Sequence, residues 1–140
     1  MPANLSPVFP LTPVVPVGQT LLTANTAKDG TGTVVTLYTA GANGSKLDGV
    51  QVAFTGTSAA TVLRLFVNNG LTNATPANNT LFKSISAPAN TLSETVAAAD
   101  FYTQMIGSGS LMLPAGYTIL ATIGTTIAAA IAVTATGGNL

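Results

Sequence analysis

The body of this chain is cut at short intervals by Gly, Asn and Pro, and the runs between the cuts are rich in Val, Ile, Thr and Leu. That punctuation leaves little room for long helices and favours short strands. Residues 48–70, DGVQVAFTGTSAATVLRLFVNNG, show the pattern most clearly. Val50, Val52 and Phe54 alternate with Gln51, Ala53 and Thr55, the two-residue period of a half-buried strand. Residues 62–67 form a second apolar run, broken by one charge, Arg64, and closed by the turn signal Asn68-Asn69-Gly70. Segments 46–55 and 60–68 are therefore expected to pair as a hairpin in the middle of a sheet, with the small residues 56–60 as its bend.

The same reading extends along the chain. Segments 19–23, 33–39, 80–86, 101–106, 117–124 and 127–135 read as further strands. The last of these has alanines enough for a helix, but its β-branched residues and Thr flanks favour a strand. Asp29-Gly30 and Asn43-Gly44 mark tight turns, because Gly tolerates the positive φ that such turns need. Segment 71–79, polar and containing Pro76, reads as a loop. Segment 89–100 is the one place for a helix, of one or two turns, and is equally compatible with extended chain. The expectation is an all-β fold: an antiparallel β-sandwich, jelly-roll-like, of about eight strands over residues 19–140.

Residues 1–18 are different. Pro7, Pro10, Pro13 and Pro16 recur every third residue, the repeat of a polyproline II rod. Between them lie Val8, Phe9, Leu11, Val14 and Val15, with no charge. An apolar extended arm left in water costs about 25 cal/mol per Å². It should lie on its own sheet or on a neighbouring subunit. The neighbour is favoured, because about 15 residues of such a rod reach roughly 45 Å.

Composition narrows the chemistry. Charged residues make up 6% of the 140, against about 25% in ordinary soluble domains. With four Lys and Arg against four Asp and Glu, the formal net charge is zero. Four basic residues are too few for the dense phosphate contacts of a nucleic-acid binder or for a polybasic membrane patch. Segment 119–133 falls short of the ~20 residues of a membrane span, and no signal peptide is expected. The absence of Cys and His removes disulfides, thiol nucleophiles, zinc sites and the commonest general base. The acidic residues are Asp29, Asp48, Glu94 and Asp100. Asp29 and Asp48 sit beside Lys28 and Lys46 in turns, Glu94 and Asp100 are a weak basis for a glycosidase pair, and 29–32 offers too few oxygens for calcium. No enzyme activity and no cofactor is expected. Arg64, the only arginine, belongs at a solvent-facing or edge position, or serves as a hydrogen-bond anchor between subunits. A surface so poor in charge suits a large assembly better than free solution. The uncharged half from Phe101 onward should have its strand edges covered by the arm or by a neighbour.

The runs LDGVQVAFTGTSAATVLRLFVNNG, LFKSISAP and LMLPAGYTILATIG resemble β-sandwich structural proteins of tailed bacteriophages, in particular capsid decoration, or cement, proteins. The resemblance covers roughly residues 19–137 and is one of pattern, without a diagnostic motif. It implies a virion protein on the capsid surface, binding the major capsid protein, forming a homo-oligomer with a trimer favoured, and using a terminal arm; it implies no catalytic residue. Pro7, Val8, Phe9, Pro10, Leu11, Pro13, Val14, Val15 and Pro16 would then be the partner-binding arm. Similar sandwiches occur in tail, neck and fibre components. A carbohydrate- or receptor-binding sandwich, with Tyr38, Tyr102 or Tyr117 stacking on a sugar, is the alternative from another class.

Overall fold

A computed structural model of the chain describes residues 9–14, 18–107 and 109–140. Among them are ten strands: β1 (Thr12–Val14), β2 (Gln19–Leu21), β3 (Val35–Thr39), β4 (Ser45–Phe54), β5 (Thr61–Asn68), β6 (Asn79–Ala87), β7 (Phe101–Gln104), β8 (Leu111–Leu113), β9 (Thr118–Ile123) and β10 (Ile131–Asn139). All their pairings are antiparallel. In the first sheet β10 and β4 lie at the centre. β1 and β2 share one flank, pairing with the two ends of β10, and β7 and β8 share the other, pairing with the two ends of β4. The second sheet runs β3-β9-β5-β6. The fold is thus an all-β sandwich, and the expected eight strand positions are filled by ten strands because two edge positions are each split in two.

The core is built by the alternation read from the sequence. Val50, Val52 and Phe54 on β4 and Ile131, Val133 and Ala135 on β10 point inward from the first sheet. Leu63 and Leu65 on β5 and Ile119, Ala121 and Ile123 on β9 meet them from the second. Each fully buried Leu, Ile or Val contributes about 1.5–3 kcal/mol relative to exposure.

The expected pairing of 46–55 with 60–68 is wrong. β4 belongs to the first sheet and β5 to the second. Residues 55–60 cross between the sheets: the Thr55 N–H donates to Ala130 O (3.0 Å), and Ser58 forms a two-way backbone bridge with Asn90. A tight hairpin needs positive φ in its bend, and Gly56 is not among the glycines that adopt it. The hairpin is instead β5 with β6, closed by the Asn69-Gly70 turn (Gly70 φ 87°) and residues 71–78. Each strand of the misread pair is nevertheless interior to its own sheet. No helix forms over 89–100, which holds only isolated bridges. The one helical turn described is 3-10, Pro76–Asn78, inside the segment expected to be loop. Pro76 starts it, where its missing N–H costs nothing.

A second buried layer lies outside the core. Phe66 and Leu120 pair across β5 and β9 on the face pointing away from the first sheet, yet are only 0% and 4% exposed. Segment 24–33 crosses that face. The Asn25 N–H donates to Ile123 O (2.8 Å), and Asn25 Nδ2 donates to Thr31 O (2.8 Å) and Thr33 O (2.7 Å). Asn73 Nδ2 donates to Gly30 O (3.2 Å) and Gly32 O (2.9 Å), which ties in the loop after β5. Both glycines have φ of 78°, so the tight turn expected at Asp29-Gly30 forms.

Candidate interaction surface

The described part of the arm runs along β10. The Leu11 N–H donates to Asn139 O (2.8 Å), and Thr12, Pro13 and Val14 stand opposite Asn139, Gly138 and Gly137. Pro10 packs on Gly138, where a side chain would collide with it. β1 and β2 follow β10 in the same direction, so they act as one interrupted edge strand. Pro13 donates no ladder bond, which suits an edge. Val14 packs against the core. Phe9 and Leu11 do not: they are 71% and 81% exposed. Pro7, Val8, Val15 and Pro16 lie outside the described residues.

The flank beside β1 and β2 is grooved. A cleft of about 270 Å³ between them and β3 is lined by Val14, Gln19, Thr36, Leu37, Tyr38 and Thr39. A second, of about 230 Å³, follows along Leu21, Leu22, Thr33 and Val35. None of these lining residues is charged.

The opposite flank is closed by a cation. A bulge at Phe82 lets both Phe82 and Ile85 pack on the core and sets Lys83 opposite the inward-facing Leu65. Lys83 Nζ then donates to Thr103 Oγ1 (2.7 Å) and Gln104 O (2.5 Å) on β7, joining the edges of the two sheets. An inward-pointing charge on an edge strand also discourages edge-to-edge pairing. Lys83 lies within segment 80–86, which alternation marks as a strand. Its partners are 20 and 21 residues away in sequence, so no local signal marks them.

Arg64 is half-buried on the face of the second sheet away from the core. Its Nη1 reaches Asn25 O at 3.5 Å, and it stands beside Gly124. It therefore holds segment 24–33 in its own chain and lines a shallow groove of about 420 Å³ with Val62, Ser86, Pro88 and Thr125.

The carboxylates are dispersed. Asp29 Oδ1 accepts from the Thr31 hydroxyl (2.7 Å) and N–H (3.0 Å), which hold its carboxyl below the usual 3.8, the hydroxyl most strongly. Asp48 pairs with Lys46 (3.5 Å) and accepts from Ser110 Oγ (2.6 Å). Asp100 Oδ1 accepts from the Phe54 N–H (3.2 Å), and Glu94 lies in the small turn bridged by Ser93 and Val96. Among the described residues no three acidic side chains gather into a metal-binding group. The tyrosines do not form a platform. Tyr38 is buried with its hydroxyl donating to Asn139 Oδ1 (3.0 Å), Tyr117 packs against the core, and Tyr102 lies over Gly49 on the outer side of the first sheet. No protein-family model, curated protein or solved structure matches the chain.

Proposed function

We propose that this protein is a structural component of a tailed-phage virion, a decoration protein that binds the outside of the head and stabilises it without catalysis. The carrying observation is the arm strand: an uncharged segment seated on an uncharged β10, with Phe9 and Leu11 left in water. Two large exposed apolar side chains beside clefts without charge suit a partner surface. The major capsid protein is the proposed partner, and a homo-oligomer, trimer favoured, the proposed state.

The strand orders support the jelly-roll reading. Apart from the β5–β6 hairpin and the split edges, the chain changes sheets between successive strands, and its last strand returns beside its first. Jelly rolls are common in viral capsid and lectin domains. The dispersed tyrosines favour the former over a sugar platform.

Truncating the chain through residue 17 would strip β1 from β10 and confound folding with binding. The double variant Phe9→Ser, Leu11→Ser is cleaner. Both side chains are exposed, so stability should change by no more than about 0.5 kcal/mol each. Binding to expanded capsids should fall at least tenfold, because burying either side chain is worth about 1.5–3 kcal/mol. Binding equal to wild type would refute the arm's role. Copy number in purified particles separates locations: parity with the capsid lattice means decoration, and the count of a tail or neck ring means a component there.

A further inference from the structure

Two Asn-Gly pairs lie in turns of this chain, and their surroundings differ. Asn69 is locked. Its Nδ2 donates to Asn78 Oδ1 (3.1 Å), its Oδ1 accepts from the Leu71 N–H (3.1 Å), and its own N–H donates to Asn78 O (3.1 Å). The N–H of the following Gly70 is also held, by Asn68 Oδ1 at 2.8 Å. Asn43 is exposed at the tip of the β3–β4 connection, and among the described residues its side-chain amide has no hydrogen-bond partner. Gly44, next in the chain, takes φ 88° and donates its N–H to Gly41 O (3.0 Å).

We infer that Asn43 is a site of spontaneous covalent modification by deamidation, and that Asn69 is protected from it. Hydroxide removes the Gly44 amide proton, and that nitrogen attacks Asn43 Cγ. The new N–Cγ bond closes a five-membered imide, and the Cγ–Nδ2 bond breaks with loss of ammonia. Water then opens the imide at one of its two carbonyls and leaves either aspartate or isoaspartate at position 43. No oxidant or enzyme takes part. Glycine at 44 leaves the attacking nitrogen free of a neighbouring side chain, and a loose Asn43 amide can turn toward it. Reaction at Asn43 requires opening of one turn bond, whereas reaction at Asn69 requires release of its side-chain lock as well. Because both side-chain hydrogen bonds of Asn69 must also break, Asn43 should react about tenfold faster or more. The product carries a negative charge into a chain whose formal net charge is zero. The isoaspartate form also adds a backbone carbon to the turn whose Gly44 O accepts from the Leu140 N–H (3.2 Å).

The test is to hold the folded full-length protein at mildly alkaline pH, follow its charge by ion exchange, and map the product. Cleavage after Lys and Arg places Asn43 in peptide 29–46 and Asn69 in peptide 65–83. The expected result is a more acidic species whose aspartate and isoaspartate lie in peptide 29–46, formed about tenfold faster than any change in 65–83, and absent from Asn43→Gln. Equal or faster reaction in 65–83, an Asn43→Gln chain that acidifies at the wild-type rate, or no acidic species at all would each overturn the proposal.

Discussion

At the scale of single residues, much of this molecule is held by Asn and Thr hydrogen bonds rather than by charge. Asn25, Asn68, Asn73 and Asn79 stitch loops whose ends are separated by up to 43 residues. Asp29 is the clearest titrating example. Its carboxyl lies below the ordinary value because Thr31 donates to the charged form. A lowered folded value means that the group's stabilising contribution is complete above the unfolded value and is lost as pH falls through the folded one. The turn at 28–32 should therefore loosen only in acid. In Thr31→Val, which keeps the backbone donor and loses the hydroxyl, the Asp29 carboxyl should titrate nearer to 3.8. An NMR titration of the Asp29 carboxyl checks this, and an unchanged value would show that the hydroxyl is not the cause. The sequence marked 28–32 as a turn through Asp and Gly. It could not mark the Asn73 contact, because that partner reaches the loop only once β5 and the loop after it have folded.

At the scale of elements, the two flanks of the sandwich are closed by different means. One carries the interrupted strand β1 and β2 with its clefts, and the other is bridged by Lys83. Replacing Lys83 by Met keeps the apolar stem and removes both hydrogen bonds to β7. The expected cost is about 1–2 kcal/mol in denaturant unfolding. Backbone hydrogen exchange over Phe101–Gln104 should rise well before that of β4 or β10. If β7 keeps its full protection, Lys83 is not what joins the edges. Strand identity was legible at this scale, since β3, β4, β5, β6 and β9 fall where alternation and β-branched runs placed them. Strand pairing was less so. The run 127–135 was expected to be strand throughout, but β10 begins at Ile131 and continues to Asn139 through Gly137 and Gly138, residues that β-propensity disfavours. Pairing with β1 and β4 overrides that propensity, and both glycines are tightly packed: side chains there would meet β4 and the arm.

At the scale of the whole molecule, the near absence of charge makes a prediction about assembly. Contacts built from Phe9, Leu11 and an uncharged rim should not be screened by salt. The proposed binding to capsids is therefore expected to hold, or to tighten, as sodium chloride is raised, because excluded salts strengthen apolar burial. A steep fall in affinity with salt would mean that the few charges, not the arm, carry the contact.

The chain determined by itself what is local. The two-residue parity chose which side chains form the core, the Gly, Asn and Pro punctuation chose strand lengths and tight turns, and the composition removed thiol and imidazole chemistry. Those properties depend on neighbours within a few residues. Which strands pair, that residues 55–60 cross between sheets, that residues 11–14 close the edge of β10, and that Arg64 and Lys83 reach the partners they do were decided only by the tertiary structure. Inward-facing strands of similar composition can pair in many orders with nearly the same burial. The choice among them rests on contacts between residues tens of positions apart, which no short window of sequence contains.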